Sequence, residues 1–254
     1  MAVKKAVKAI KKPANKQIKV LGKPINGIPF AALIAEFIGT FLLVSAIFVV
    51  QGQALFAAFA LIGVVLIVGG ISGAHVNPAV TVGVWVTRRI GAVRALGYIG
   101  AQVLGAGAAY LTLKAFLGGI DPASAQFTFG AAPELFHVAT LSEDHRWYVL
   151  FAELLGVTAL AFGAAAAFRR SREHITRAFG YGLALFIGLL IAGSATGMFL
   201  TESNTTLSFL NPAVAFAGGG ITWDVWPLAI YLFIPVLGGA IGFSLQDFLQ
   251  RNIR

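Results

Sequence analysis

The chain has 254 residues, 58% of them hydrophobic and 11% charged, with a mean hydropathy of +0.84. Soluble domains carry about 25% charged residues, so a water-exposed globular fold is excluded and lipid is the solvent. The absence of cysteine excludes disulfides and thiolate metal sites. The formal charge of +9 is placed so as to argue against nucleic acid.

Residues 1–28 form a basic tail. Lys4, Lys5, Lys8, Lys11, Lys12, Lys16, Lys19 and Lys23 fall there with no acid between them. Val3, Val7 and Ile10 recur among them at helical spacing. Two readings stand: a basic amphipathic helix on anionic lipids, or a solvated tail. The apolar stretch that follows exceeds a signal-peptide core of about 7–15 residues.

A membrane-spanning helix needs about 20 apolar residues. Six stretches qualify, at about 30–50, 54–72, 95–117, 148–168, 178–198 and 226–248. The expected fold is therefore an all-α membrane protein built from residues 29–254. Superposing Glu36 on Glu153 sets AEFIGTFLLV over AELLGVTALA, an internal repeat. The first copy covers about 29–117 and the second about 148–250. Three spans per copy make the repeats inverted, an arrangement that puts functional sites near the midplane where they meet.

Six spans also place 17 of the 19 basic residues on one side, leaving Lys114 and Arg146 opposite. By the positive-inside rule both termini are then cytoplasmic. A cell membrane, prokaryotic by the compactness of the chain, is the expected location. Pairs of small residues, Gly193 with Gly197 and Gly238 with Gly242, predict close helix crossings.

After the second span of each repeat the tetrapeptide Asn-Pro-Ala-Val occurs, at Asn77 and at Asn211. The segments around them are too short to cross the bilayer and predict two re-entrant half-helices. Irregular backbone at membrane depth is tolerated only inside protein or along a water-filled cavity. Asn is a good N-cap, and Pro suits the first helical position because it has no N–H to leave unpaired. With the Asn oxygen used for capping, its NH2 group is left free. Two opposed caps then aim two donors, and two positive helix ends, at one point. Such a centre binds an oxygen-bearing neutral solute and disfavours cations and protons.

The stretches AEFIGTFLLV, ISGAHVNPAVTVG, RALGYIGAQVLGA, the helix of Glu153, LNPAVAF and PVLGGAIG together resemble the aquaporin and glycerol-facilitator family, the major intrinsic proteins. The resemblance covers about residues 30–248. It implies six transmembrane helices with two half-helices, and a homotetramer with one pore per protomer. Flow of water and small uncharged solutes would be passive, without cofactor. It assigns Asn77, Pro78, Ala79, Asn211, Pro212 and Ala213 to the pore centre. Glu36 and Glu153 are embedded acids, which by default mark an ion or proton path. The resemblance implies instead that they accept hydrogen bonds from re-entrant backbone, with His75 as a packing residue and Gln102 steadying the half-helices.

The chain departs from the family beside the second motif, where an arginine usually stands and Val214 stands here. NPAVAF resembles some plant vacuolar relatives, a subgroup associated with water, urea, peroxide and ammonia. The Arg-Asp pair frequent in glycerol facilitators is absent. Counting from the anchors gives Ala57, Leu189, Ser208 and Val214 as the selectivity filter, a set that predicts a wide and weakly polar constriction. GMFLTESNTTLSFL, longer than the usual link, could restore narrowing through Met198, Phe199, Leu200, Leu207 or Phe209.

Two other functions are consistent with such a chain. One is an ion or weak-acid channel, though no ring of acids or bases lies in the spans. The other is a non-conducting structural membrane protein. An enzyme is not expected: no convergent His-carboxylate set lies in the spans, and there is no phosphate-binding glycine loop. His137, Glu143, Asp144 and His145 share an outer loop without the spacing of a common metal site. Asn204-Thr205-Thr206 is a formal glycosylation sequon.

Overall fold

The computed structural model describes residues 29–118, 135–170, 173–200 and 205–252. The basic tail lies outside these residues, as do Arg172, Asn204 and Arg254 and part of the 198–209 link.

The helices follow the hydropathy. They are α1 (Phe30–Val49), α2 (Ala54–Val68), α3 (Pro78–Val86), α4 (Ala92–Gly118), α5 (Arg146–Arg170), α6 (His174–Thr196), α7 (Pro212–Ala217), α8 (Val225–Leu228) and α9 (Ile234–Arg251). Most long helices run past the apolar windows at one or both ends, because residues such as Arg94, Arg146 and His174 continue the helical ladder. Between α8 and α9 the turn Ala229–Phe233 is π-helical. Pro235 follows it and has no N–H to give the ladder.

Among the described residues, five helical stretches are long and apolar enough to cross a membrane. The sixth expected span, 54–72, is a helix only over the 15 residues of α2, about 22 Å at 1.5 Å per residue. From Gly69 the chain turns, with Ser72 Oγ accepting the N–H of Ala74 at 2.9 Å. Leaving the helix there lets the chain turn back and bury Asn77 inside the fold.

The two halves interlock. α5 packs on α6 and α9, α1 on α4 and α2, and α2 on α6. Each short helix reaches across, α3 lying against α9 and α7 against α4. Arg89, just past α3, pairs with Asp247 of α9 at 2.7 Å. Close crossings are made where two backbones can approach, since packing replaces the hydrophobic effect as the force between helices in lipid. A Cβ on Gly188 would lie 2.7 Å from the Gly156 carbonyl oxygen, and one on Gly156 would lie 2.9 Å from that of Gly188. Gly238 and Gly242 face α5 in the same way. Gly193 and Gly197 do not: a Cβ on either would meet nothing within 4 Å, so that expected crossing is absent from this chain's own packing.

On the side of the fold where α1 ends, two short strands, β1 (His137–Val138) and β2 (Thr205–Thr206), pair in parallel. Val138 also donates to the carbonyl of Gly218, just past α7, at 2.9 Å. The loop before α5 is thus strapped to the segment leading into α7 and to that helix's C-terminal end.

Candidate functional site: two facing helix caps and the cavity above them

The local chemistry of Asn-Pro-Ala is the same in both halves. Asn77 Oδ1 accepts the N–H of Ala79 at 2.8 Å and that of Val80 at 3.4 Å. Asn211 Oδ1 accepts that of Ala213 at 3.0 Å. Pro78 and Pro212 each open a helix, where the missing N–H costs nothing.

The residue before each Asn is left-handed, Val76 at φ 44° and Leu210 at φ 56°. That is an outlying conformation for a branched side chain, costing on the order of 1–3 kcal/mol. A buried carboxylate holds each in place by accepting two successive backbone N–H groups. Glu36 takes those of His75 at 2.9 Å and Val76 at 2.8 Å. Glu153 takes those of Phe209 at 3.2 Å and Leu210 at 2.7 Å. Among the described residues, the first half adds a layer that the second lacks. Gln102 Nε2 donates to Glu36 at 2.7 Å and to Thr81 Oγ1 at 2.9 Å, and the His75 ring lies 3.3 Å from the same hydroxyl.

The turned backbone aims a carbonyl from each half at the other half's cap. Asn77 Nδ2 donates to the Leu210 carbonyl, and Asn211 Nδ2 to the Val76 carbonyl, both at 2.9 Å. This corrects the expectation of two free NH2 groups. One N–H of each amide ties the caps together, and only the second is left for the cavity that both residues line.

That cavity has a volume of about 30 Å³, above the ~10–15 Å³ that a single water needs. Its wall is mostly apolar. Asn77, Asn211, Ser208 and Tyr181 supply the polar atoms, and none of its lining residues is charged. Ala57, Leu189, Ser208 and Val214 all line it, so the four positions found by counting and the two Asn caps meet in one space.

The wide mouth those four side chains predict is not there, because Phe136 enters from the loop before α5. It is 3% exposed and lies edge-on to Phe48 at 5.8 Å and to Phe209 at 6.0 Å. Gly52 leaves the space it fills. Of the link residues, Phe209 lines the cavity and Leu207 is buried, whereas Met198 is 70% exposed. Phe199 stacks on His145 at 3.8 Å, and Leu200 lines the vestibule above. This vestibule, of about 410 Å³, carries Gln51, Gln53, Thr205 and Thr206 and shares Phe136, Leu189 and Ser208 with the cavity below.

Phe136 was missed because it lies in a long loop without periodicity. The only signal was an apolar Leu-Phe pair where a solvated loop should be polar. Tyr181, whose hydroxyl donates to the His75 carbonyl at 2.7 Å, gave no signal beyond its place on an apolar helix. Three of the outer-loop polar residues are engaged separately. Glu143 pairs with Arg146, His137 Nδ1 meets the Leu135 carbonyl oxygen, and His145 Nδ1 meets Ser142 Oγ. Among the described residues no three His, Asp or Glu side chains converge on a metal-sized space.

The family model for major intrinsic proteins matches residues 28–245. A glycerol uptake facilitator-like protein of Lactiplantibacillus plantarum is 30% identical over 223 residues, covering 82% of this chain and 93% of that one. A probable aquaporin of Oryza sativa subsp. japonica is 31% identical over 195 residues, 76% of this chain and 65% of its own length. An aquaporin of Methanothermobacter thermautotrophicus is 29% identical, with 75% and 73% covered. Among solved structures, the aquaglyceroporin from Plasmodium falciparum aligns with a TM-score of 0.60 at 19% identity, over 88% of this chain and 96% of that one. At that identity the likeness is one of fold.

Proposed function

The chain belongs to the major intrinsic protein family, and from that premise we propose that it conducts water and small uncharged solutes past the paired caps of Asn77 and Asn211. It is a multi-pass membrane protein and a passive channel, not an enzyme. The observation that carries the finer reading is the reciprocal tie between each Asn amide and the opposite half's carbonyl, at 2.9 Å in both directions. It leaves one N–H per amide for a passing oxygen, at the floor of a cavity whose lining is uncharged.

The narrow cavity favours water, and ammonia and peroxide are of similar size. Glycerol and urea must displace Phe136 or pass beside it, so they are expected to be slower. In this reading both termini are cytoplasmic, the tail over residues 1–28 rests on anionic lipid, and four copies assemble with one path each.

Stopped-flow light scattering on proteoliposomes tests it, with sorbitol, glycerol and urea shocks applied in turn. Shrinkage well faster than that of empty liposomes, lost in an Asn77→Asp, Asn211→Asp double variant, supports the reading. Equal rates in wild type, variant and empty liposomes refute it. Re-swelling with glycerol or urea sets the solute range.

A further inference from the structure

The uncharged cavity raises the question of where a charged species is turned back. On α6 the residues lining it are Leu189, Leu185 and Tyr181, four apart and therefore on one face of the helix. The next position on that stripe, beyond the cavity floor, is Arg177. On α5 the cavity residue is Leu160, and the same four-residue step leads through Ala164 to Phe168. The two stripes converge. The Phe168 ring lies edge-on to Tyr181 at 5.2 Å and stacks near His75 at 5.9 Å, and the Arg177 guanidinium sits over it at 4.4 Å.

The backbone leading to Asn77 records the same descent. Its carbonyls take donors in order: Val76 from Asn211, His75 from Tyr181 and Gly73 from Arg177. Arg177 is thus the next donor in line below the cavity. Its Nε is buried and has no acceptor among the described residues, so the group is not fully spent on structure.

We propose that Arg177, seated on Phe168 and facing Gly73 to His75, is a specificity-determining residue: a fixed positive charge at the inner end of the path that turns back protons and metal cations. A guanidinium keeps its charge at any accessible pH. In a narrow, low-dielectric passage its field acts with little screening. The aromatic face locates it, and the bond to Gly73 fixes its distance from the approach to Asn77. The inference rests on the channel reading above.

The test measures proton flux, with a pH-sensitive dye inside the liposomes, and water flux on the same proteoliposomes. Wild type is compared with Arg177→Gln, Arg177→Lys and Arg251→Gln, the last an exposed arginine at the end of α9. The ratio of proton to water flux is expected to rise at least about tenfold in R177Q, a change of ~1.4 kcal/mol. It should stay near wild type in R177K and R251Q. A tight R177Q overturns the inference, and so does an R177K that leaks as much as R177Q, because charge would then not be the cause. Wild type without water flux above empty liposomes fails the channel reading itself, and this inference with it. Should R177Q not reconstitute, Arg177→Met, an uncharged side chain of similar length, is measured in its place. A raised ratio supports the proposal and an unchanged one overturns it.

Discussion

Removing the Glu36 carboxylate should damage the fold more than removing that of Glu153, and the difference can be worked from their partners. Glu153→Ala leaves two buried backbone donors without an acceptor, the N–H groups of Phe209 and Leu210. At about 1–3 kcal/mol for each orphaned group, the cost is about 2–6 kcal/mol. Glu36→Ala orphans the N–H groups of His75 and Val76 and also takes a charge-assisted bond from Gln102, adding about 1.5–3 kcal/mol. Glu36→Gln is milder. With its amide oxygen in the place of Glu36 Oε2, the new side chain still accepts the Val76 N–H and Gln102 Nε2, and its NH2 group faces the His75 N–H. One backbone N–H is then left unmet, at about 1–3 kcal/mol. At roughly 2–4 °C per kcal/mol for a chain of this size, E36Q should melt from a few to about 12 °C below wild type. E153A should melt lower on average, and E36A lowest. The assay is tryptophan-fluorescence melting of purified protein in one detergent at one scan rate, because membrane-protein unfolding is often irreversible. An E36Q that melts with E36A, or an E153A that falls below E36A, would refute the reasoning.

Gly188→Ala puts a Cβ 2.7 Å from the Gly156 carbonyl oxygen and 2.9 Å from Leu210 Cδ1. It should cost about 1–3 kcal/mol by overpacking in the same melting assay. Gly193→Ala, which meets nothing within 4 Å, should be neutral or stabilising by at most about 1 kcal/mol; equal losses in the two would contradict the packing described. Phe136→Ala should raise glycerol permeability relative to water severalfold in the light-scattering assay, since it removes the ring that narrows the mouth. An unchanged ratio would mean that Phe136 does not limit solute size.

Features set by local chemistry were the legible ones. Asn at an N-cap and Pro at the first helical position act over three or four residues, so the caps of α3 and α7 could be read from a tetrapeptide. The long spans could be read because lipid imposes a length. Even there, α2 fell short of its apolar window, since hydropathy does not register that the chain must turn at Gly69 to reach Asn77.

Features that depend on which segment meets which were not legible. The bond from each Asn amide to the opposite carbonyl needs left-handed φ at Val76 and Leu210, and neither residue type announces it. Phe136 reaches the mouth only because β1 and β2 strap its loop down. Gly193 and Gly188 look alike in sequence, and only the fold tells that one faces a helix and the other open space.

Because the chain has no cysteine, a single thiol placed on the cavity wall addresses the central claim directly. Ser208→Cys puts one between the vestibule and the Asn caps, and Leu155→Cys puts one on the exposed outer face of α5. Water flux of proteoliposomes would be measured before mercuric ion, after it, and after excess reductant. If the path runs through this cavity, mercury reduces S208C to the rate of empty liposomes, reductant restores it, and wild type and L155C are unaffected. Undiminished flux through an S208C whose thiol is fully labelled would show that solute takes another route.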